Sequence, residues 1–125
     1  MTVLKRNGVE IDFNKEKIFN AIMKANKSVD ISDRMREDTA HEIADHIKNL
    51  SIVLNRSLSV EEIQDEVEKS IIMFSNEKDS GYSHPLVNLF KAYTIYRYEH
   101  VPSRKYPYSD AVSGFTSLRH EYTQS

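Results

Sequence analysis

Val3-Leu-Lys-Arg-Asn-Gly8, running on through Val9-Glu-Ile-Asp-Phe-Asn-Lys-Glu-Lys-Ile18, is the stretch from which the fold is read. Val3–Lys5 and Val9–Ile11 are short β-prone pieces separated by Arg6-Asn-Gly8. Asn-Gly between such pieces is a strong hairpin signal, because both residues tolerate positive φ. Directly after the hairpin, Asn14 suits the N-cap of a helix, and Phe13 before it can staple onto Ile18. That helix is expected from about Asn14 to Ser28, with Ile18, Ile22 and Ala25 as its apolar stripe and Phe19 and Met23 at the flanks.

Three more helices follow by the same reasoning. A second is expected over Ser32 to Leu50, with Ile43, Ile47 and Leu50 facing inward. Arg56-Ser-Leu58 reads as a short extended piece. Ser59-Val-Glu-Glu62 is a capping box, with Leu58 and Ile63 as its staple, and Ile63, Val67, Ile71 and Phe74 carry the third helix's apolar face. Ser75 to Gly81 is a loop by composition. The fourth helix should begin near His84-Pro85, where proline fits the first turn, and should end before Pro102. Leu86, Leu89, Phe90, Tyr93 and Tyr96 give it a broad apolar and aromatic face. The expected fold is α+β and mainly helical: a four-helix bundle capped by a small N-terminal β-hairpin or three-stranded sheet. One domain over residues 1–100 is expected, then a 101–125 tail with five serines and four aromatics. The tail is either partly disordered or docks through its aromatics onto a partner.

Composition bounds the chemistry. The 125 residues suit one domain with a real core, at 39% hydrophobic and 29% charged residues. With no cysteine the chain has no disulfide, thiolate metal site or thiol chemistry. No apolar run is long enough to span a bilayer, and the start turns polar too soon for a signal peptide, so a cytoplasmic location is expected. The net charge of −2 is unevenly spread. Residues 1–27 hold six basic against three acidic residues, residues 28–79 six against thirteen, and residues 80–125 five against three. A basic N-terminal block on an acidic body suits a local anion site better than a DNA-binding face.

The cluster with the most chemical content is the hairpin carrying Lys5 and Arg6 beside a helix start carrying Lys15 and Lys17. A helix N-terminus offers unpaired N–H groups and a positive dipole end, and the cations add to it. Spacing alone fits solvated surface lysines at least as well. His41-Glu-Ile-Ala-Asp-His46 is superficially like the zinc motif His-Glu-x-x-His, but its histidines are five apart and so about 140° apart around a helix. They are expected to be solvated. Glu61, Glu62, Asp65, Glu66 and Glu68 belong to the capped first turns of a helix, which accounts for them without paired catalytic carboxylates. Glycine occurs only at 8, 81 and 114, so there is no Walker loop.

Lys5-Arg-Asn-Gly8, Phe13, Lys17-Ile18, Ala21-Ile22, Ile63-Gln-Asp65, Val67-Glu68, Lys91-Ala-Tyr93 and Tyr96-Arg97 fall in the order and spacing of the ATP-cone family. The resemblance covers roughly residues 2–100 and is closest to the N-terminus of anaerobic ribonucleoside-triphosphate reductases. It implies ATP or dATP held between sheet and helices as an allosteric ligand, with Mg²⁺ as a possible companion. Binding would control a ribonucleotide reductase catalytic subunit, or self-association. By the same resemblance, Val3 and Ile18 wall the base, Asn14 lies near the nucleoside, and Lys5, Arg6 and Lys17 meet the phosphates. Lys91 matches the basic position of the final helix and would reach a phosphate; Arg97 matches too, and equally suits pairing with the acidic body. Asn7 stands where the family usually has aspartate, and Phe90 where a small alanine is usual.

A regulatory domain without catalytic residues is therefore expected, since a reductase active site needs cysteines and several hundred further residues. The alternative is a cone-like helical module that serves subunit association without nucleotide. The cone-bearing transcriptional repressor needs a four-cysteine zinc ribbon that this sequence lacks.

Overall fold

The computed structural model describes residues 2–99. Strands β1 (Thr2–Leu4) and β2 (Glu10–Asp12) form the antiparallel hairpin, with Val3 opposite Ile11. The turn differs from the expected pair of positive-φ residues. Gly8 alone is left-handed, at φ 87°; the Gly8 N–H donates to the Lys5 carbonyl at 2.9 Å and the Lys5 N–H to the Val9 carbonyl at 2.9 Å. This is a three-residue loop with a glycine bulge, and one left-handed residue suffices for it.

Helix α1 (Lys15–Asn26) starts where the sequence places it. The Asn14 side chain accepts from the Glu16 N–H at 2.9 Å, and Ile18, Ala21, Ile22 and Ala25 are buried. The next helix begins later than expected. A 3₁₀ turn covers Ile31–Asp33, Arg34 and Arg36 are extended, and α2 spans Glu37–Leu54. The cause is buried Asn26: its amide accepts from the Met35 N–H and donates to the Met35 carbonyl, both at 2.9 Å. That clamp takes the backbone groups a helix from Ser32 would have used. At its other end α2 runs past Leu50 to Asn55, which is left-handed at φ 57°, a conformation asparagine tolerates better than most residues.

The short strand β3 (Leu58–Ser59) then pairs parallel to β1, Val3 beside Leu58, which makes a sheet of order β2-β1-β3. Ser59 caps α3 (Val60–Asn76) with the full capping box: the Glu62 N–H donates to Ser59 Oγ, and the Ser59 N–H to Glu62 Oε1. Helix α4 spans Val87–Glu99, two residues later than Pro85 suggested. Buried Ser75 sets this start, because its hydroxyl accepts from the Leu86 N–H at 2.9 Å while donating to the Ile71 carbonyl at 2.7 Å. Each helix packs on its neighbours around the bundle, α1 on α2 and α4, α3 on the same two. Ile22, Ile43, Ile47, Val67, Ile71, Leu86 and Leu89 fill the centre. Phe90 is half-buried against this core. The expectation about the 101–125 tail lies outside the described residues.

Candidate functional site

A cavity of about 340 Å³ opens between the sheet and helices α1, α3 and α4, within the size range of small-molecule sites. Its depth is apolar and its mouth polar. Val3 and Ile11 come from the sheet, Ile18 and Ala21 from α1, Ile63 from α3, and Tyr93 and Tyr96 from α4. Val3, Ile18, Ala21 and Tyr93 are buried, whereas Lys5, Asp12, Asn14 and Lys17 are exposed at the opening. The Tyr93 and Tyr96 rings lie 6.2 Å apart with a 34° tilt. Burial pushes the Tyr93 hydroxyl well above the usual phenol range, so it stays neutral.

Five of the seven residues named from the sequence line this one cavity: Val3, Lys5, Asn14, Lys17 and Ile18. Two cations, Lys5 from the hairpin and Lys17 from the first turn of α1, thus share a mouth. The helix end itself is partly satisfied, since Asn14 takes the Glu16 N–H with its side chain and the Lys17 N–H with its carbonyl at 3.1 Å. Arg6 lies elsewhere: its Nε pairs with Glu61 at the start of α3 at 2.5 Å, latching the hairpin to that helix. Lys91 lines a second cavity of about 590 Å³, together with Lys24, Asp33 and Asn88. Tyr96 is in the wall of both cavities.

Arg97 belongs to the packing between α3 and α4. At 6% side-chain exposure it pairs with Asp65 at 2.9 Å and Glu68 at 3.1 Å, and Thr94 donates to Glu68 at 2.9 Å. Burial pulls its pKa down, but the two carboxylates outweigh burial and the net shift is upward. The other acids of α3 are likewise paired: Glu61 with Arg6, Glu62 with Arg56, Glu66 with His46 at 3.0 Å. His46 is therefore a half-buried cross-helix partner rather than a solvated histidine, and His41 stacks on Phe19 at 4.0 Å.

Gln64 is a polar lining residue that the sequence did not single out as part of the site. Its Oε1 is buried and has no hydrogen-bond partner among the described residues. A buried acceptor left without a donor costs about 1–3 kcal/mol, which favours any donor, water included, that reaches it. The signal was present: Val60, Gln64, Val67 and Ile71 follow helical spacing, and Gln64 is the polar member of an apolar row.

Among curated proteins none matches the chain. The family model of the ATP cone domain matches residues 1–101. With the four helices, the three-stranded sheet and the cavity between them, this shows that the chain belongs to the ATP-cone family, whose domains are typically allosteric nucleotide-binding regulators.

Proposed function

We propose that the chain binds ATP or dATP in the 340 Å³ cavity and uses the bound nucleotide to control the association of a ribonucleotide reductase catalytic subunit. The observation that carries this reading is the pairing of an apolar, aromatic depth with Lys5 and Lys17 at one mouth. A purine is flat and apolar on its faces, which suits Val3, Ile18, Tyr93 and Tyr96. A triphosphate is anionic and suits two ammonium groups beside a helix N-terminus.

The cavity also fits the nucleotide's polar edge. Gln64 Oε1 would accept from the exocyclic amine of adenine or from a ribose hydroxyl. ATP and dATP differ by one 2′-hydroxyl, and an unmet acceptor can turn one hydroxyl into about 1–3 kcal/mol of preference. Asn14 borders the same opening, with its side-chain oxygen already committed to the helix cap. Arg6 acts in this reading by holding the hairpin over the cavity through Glu61, and reaches a phosphate only if it exchanges that partner. Lys91 faces a different cavity and would act on the phosphates only after movement of α4. Mg²⁺ would arrive with the triphosphate, Asp12 being the carboxylate at the mouth.

Regulation follows by population shift: nucleotide favours one arrangement of sheet and helices, and the altered surface favours one association state. Calorimetric titration with ATP and dATP in Mg²⁺, alongside light scattering, tests the reading. Saturable binding with a mass that differs between the two ligands supports it. A second reading, association without nucleotide, is favoured by Ile52 and Val53 at the end of α2, which are 60% and 78% exposed. It predicts self-association or capture of a partner with no heat on nucleotide addition.

A further inference from the structure

We propose that Asn7-Gly8 is a spontaneous modification site, at which the Asn7 side-chain amide is lost as ammonia through a succinimide. Asn7 is followed by glycine, whereas every other asparagine in the chain is followed by a residue with a side chain. A glycine nitrogen is the least hindered backbone nucleophile. Here it is also open in space: a Cβ on Gly8 would meet no heavy atom within 4 Å, and residues 4–10 are all exposed.

The turn activates the other partner. The Val9 N–H donates to Asn7 Oδ1 at 3.0 Å, which polarises the side-chain carbonyl and stands ready to stabilise the oxyanion formed on attack. One bond opposes reaction, the Gly8 N–H donated to the Lys5 carbonyl at 2.9 Å. It lies at an exposed hairpin tip, where local opening is least costly. In the step itself, the Gly8 nitrogen gives up its proton and bonds to Asn7 Cγ, closing a five-membered ring. The side-chain nitrogen takes up a proton and leaves as ammonia. Water then adds at either ring carbonyl, leaving aspartate or isoaspartate at position 7.

The consequence for ligand rests on the nucleotide reading above. Both products put a carboxylate next to Lys5 and Arg6. The aspartyl product keeps an acceptor for the Val9 N–H. The isoaspartyl product adds a methylene to the main chain inside the loop closed by Lys5 and Val9, and so displaces Lys5 from the cavity mouth.

The test is timed incubation of the full chain in mildly alkaline buffer. Peptide mapping follows each asparagine, and methyl transfer by an isoaspartyl methyltransferase reports the rearranged product. The expected result is amide loss at residue 7 ahead of every other asparagine, with methyl-acceptor signal that is absent from Asn7→Gln. Retention of the Asn7 amide in the folded chain, while a free peptide covering residues 1–13 converts, would overturn the proposal. The ligand link is read on aged chain enriched in the isoaspartyl form, with ATP affinity expected to fall about threefold, whereas Asn7→Asp carries the residue usual in the family and is expected to bind as the parent does. Equal affinity for the isoaspartyl-enriched chain and the parent overturns that link and leaves the modification standing. Absence of ATP binding by the parent chain counts against the nucleotide reading instead, and the mass measurement alone then decides the modification.

Discussion

Lys5 and Lys17 reach the same opening from different elements, one from the hairpin and one from the first turn of α1. Each replaced singly by alanine is expected to weaken ATP binding by about 1.5–3 kcal/mol, the scale of a charged hydrogen bond. Calorimetry on the two variants checks it, and unchanged affinity in both would remove the phosphates from this mouth. Gln64 offers a sharper case because its two effects have opposite sign. Gln64→Leu removes an unsatisfied buried acceptor, so the Tm should hold or rise, while ATP affinity falls by about 1 kcal/mol. Parallel melting curves and titrations separate this from general damage, which lowers both. Five cavity residues were named through the family resemblance, and local spacing keeps them together: strand, turn and capped helix start lie within sixteen residues, Val3 to Ile18. Gln64 and Tyr93 were not, because their place depends on how α3 and α4 meet the sheet. Nor was Arg6's partner: nothing local says that an arginine on a hairpin tip will pair with Glu61.

Among the elements, α3 had the plainest start and α2 the most misleading one. Ser59 and Glu62 satisfy each other's backbone donors, as the Ser-Val-Glu-Glu pattern implies. The Ser32 start of α2 failed because Asn26, inside the preceding helix, holds Met35 by both backbone groups. Sequence periodicity carries no trace of such a clamp. Asn26→Ala orphans both groups and should lower stability by about 2 kcal/mol in denaturant unfolding. Glu62 adds a pH dependence. The hydrogen bonds from Arg56 and from the Ser59 backbone, chiefly the former, hold its carboxyl down from an ordinary 4.5 to about 2. A folded pKa below the unfolded one means that the stabilisation is present above about pH 4.5 and is lost as pH falls toward 2. With a side chain 43% exposed, solvent screening limits it to less than about 1 kcal/mol. Glu62→Gln should therefore flatten the acid limb of the Tm–pH curve between those values and leave the neutral Tm only slightly lowered.

For the whole molecule, the helices that form the bundle also fix the cavity's far wall. Arg97 binds α4 to Asp65 and Glu68 of α3, one turn beyond Tyr93. Arg97→Ala leaves Glu68 without its counter-charge and should cost about 3 kcal/mol, read as a lower denaturation midpoint. The architecture itself was legible because helical apolar spacing, two caps and a hairpin signal all agree with one packing. In the proposed function, nucleotide sits between the sheet and α1, α3 and α4. Backbone amide chemical-shift mapping of the labelled chain titrated with ATP tests it most directly. Saturable shifts are expected to concentrate on Val3, Lys5, Lys17 and Gln64, with Tyr93 and Tyr96 following. Shifts confined to Lys24, Asn88 and Lys91 would move the ligand to the other cavity, and no shifts at all would contradict nucleotide binding by this chain.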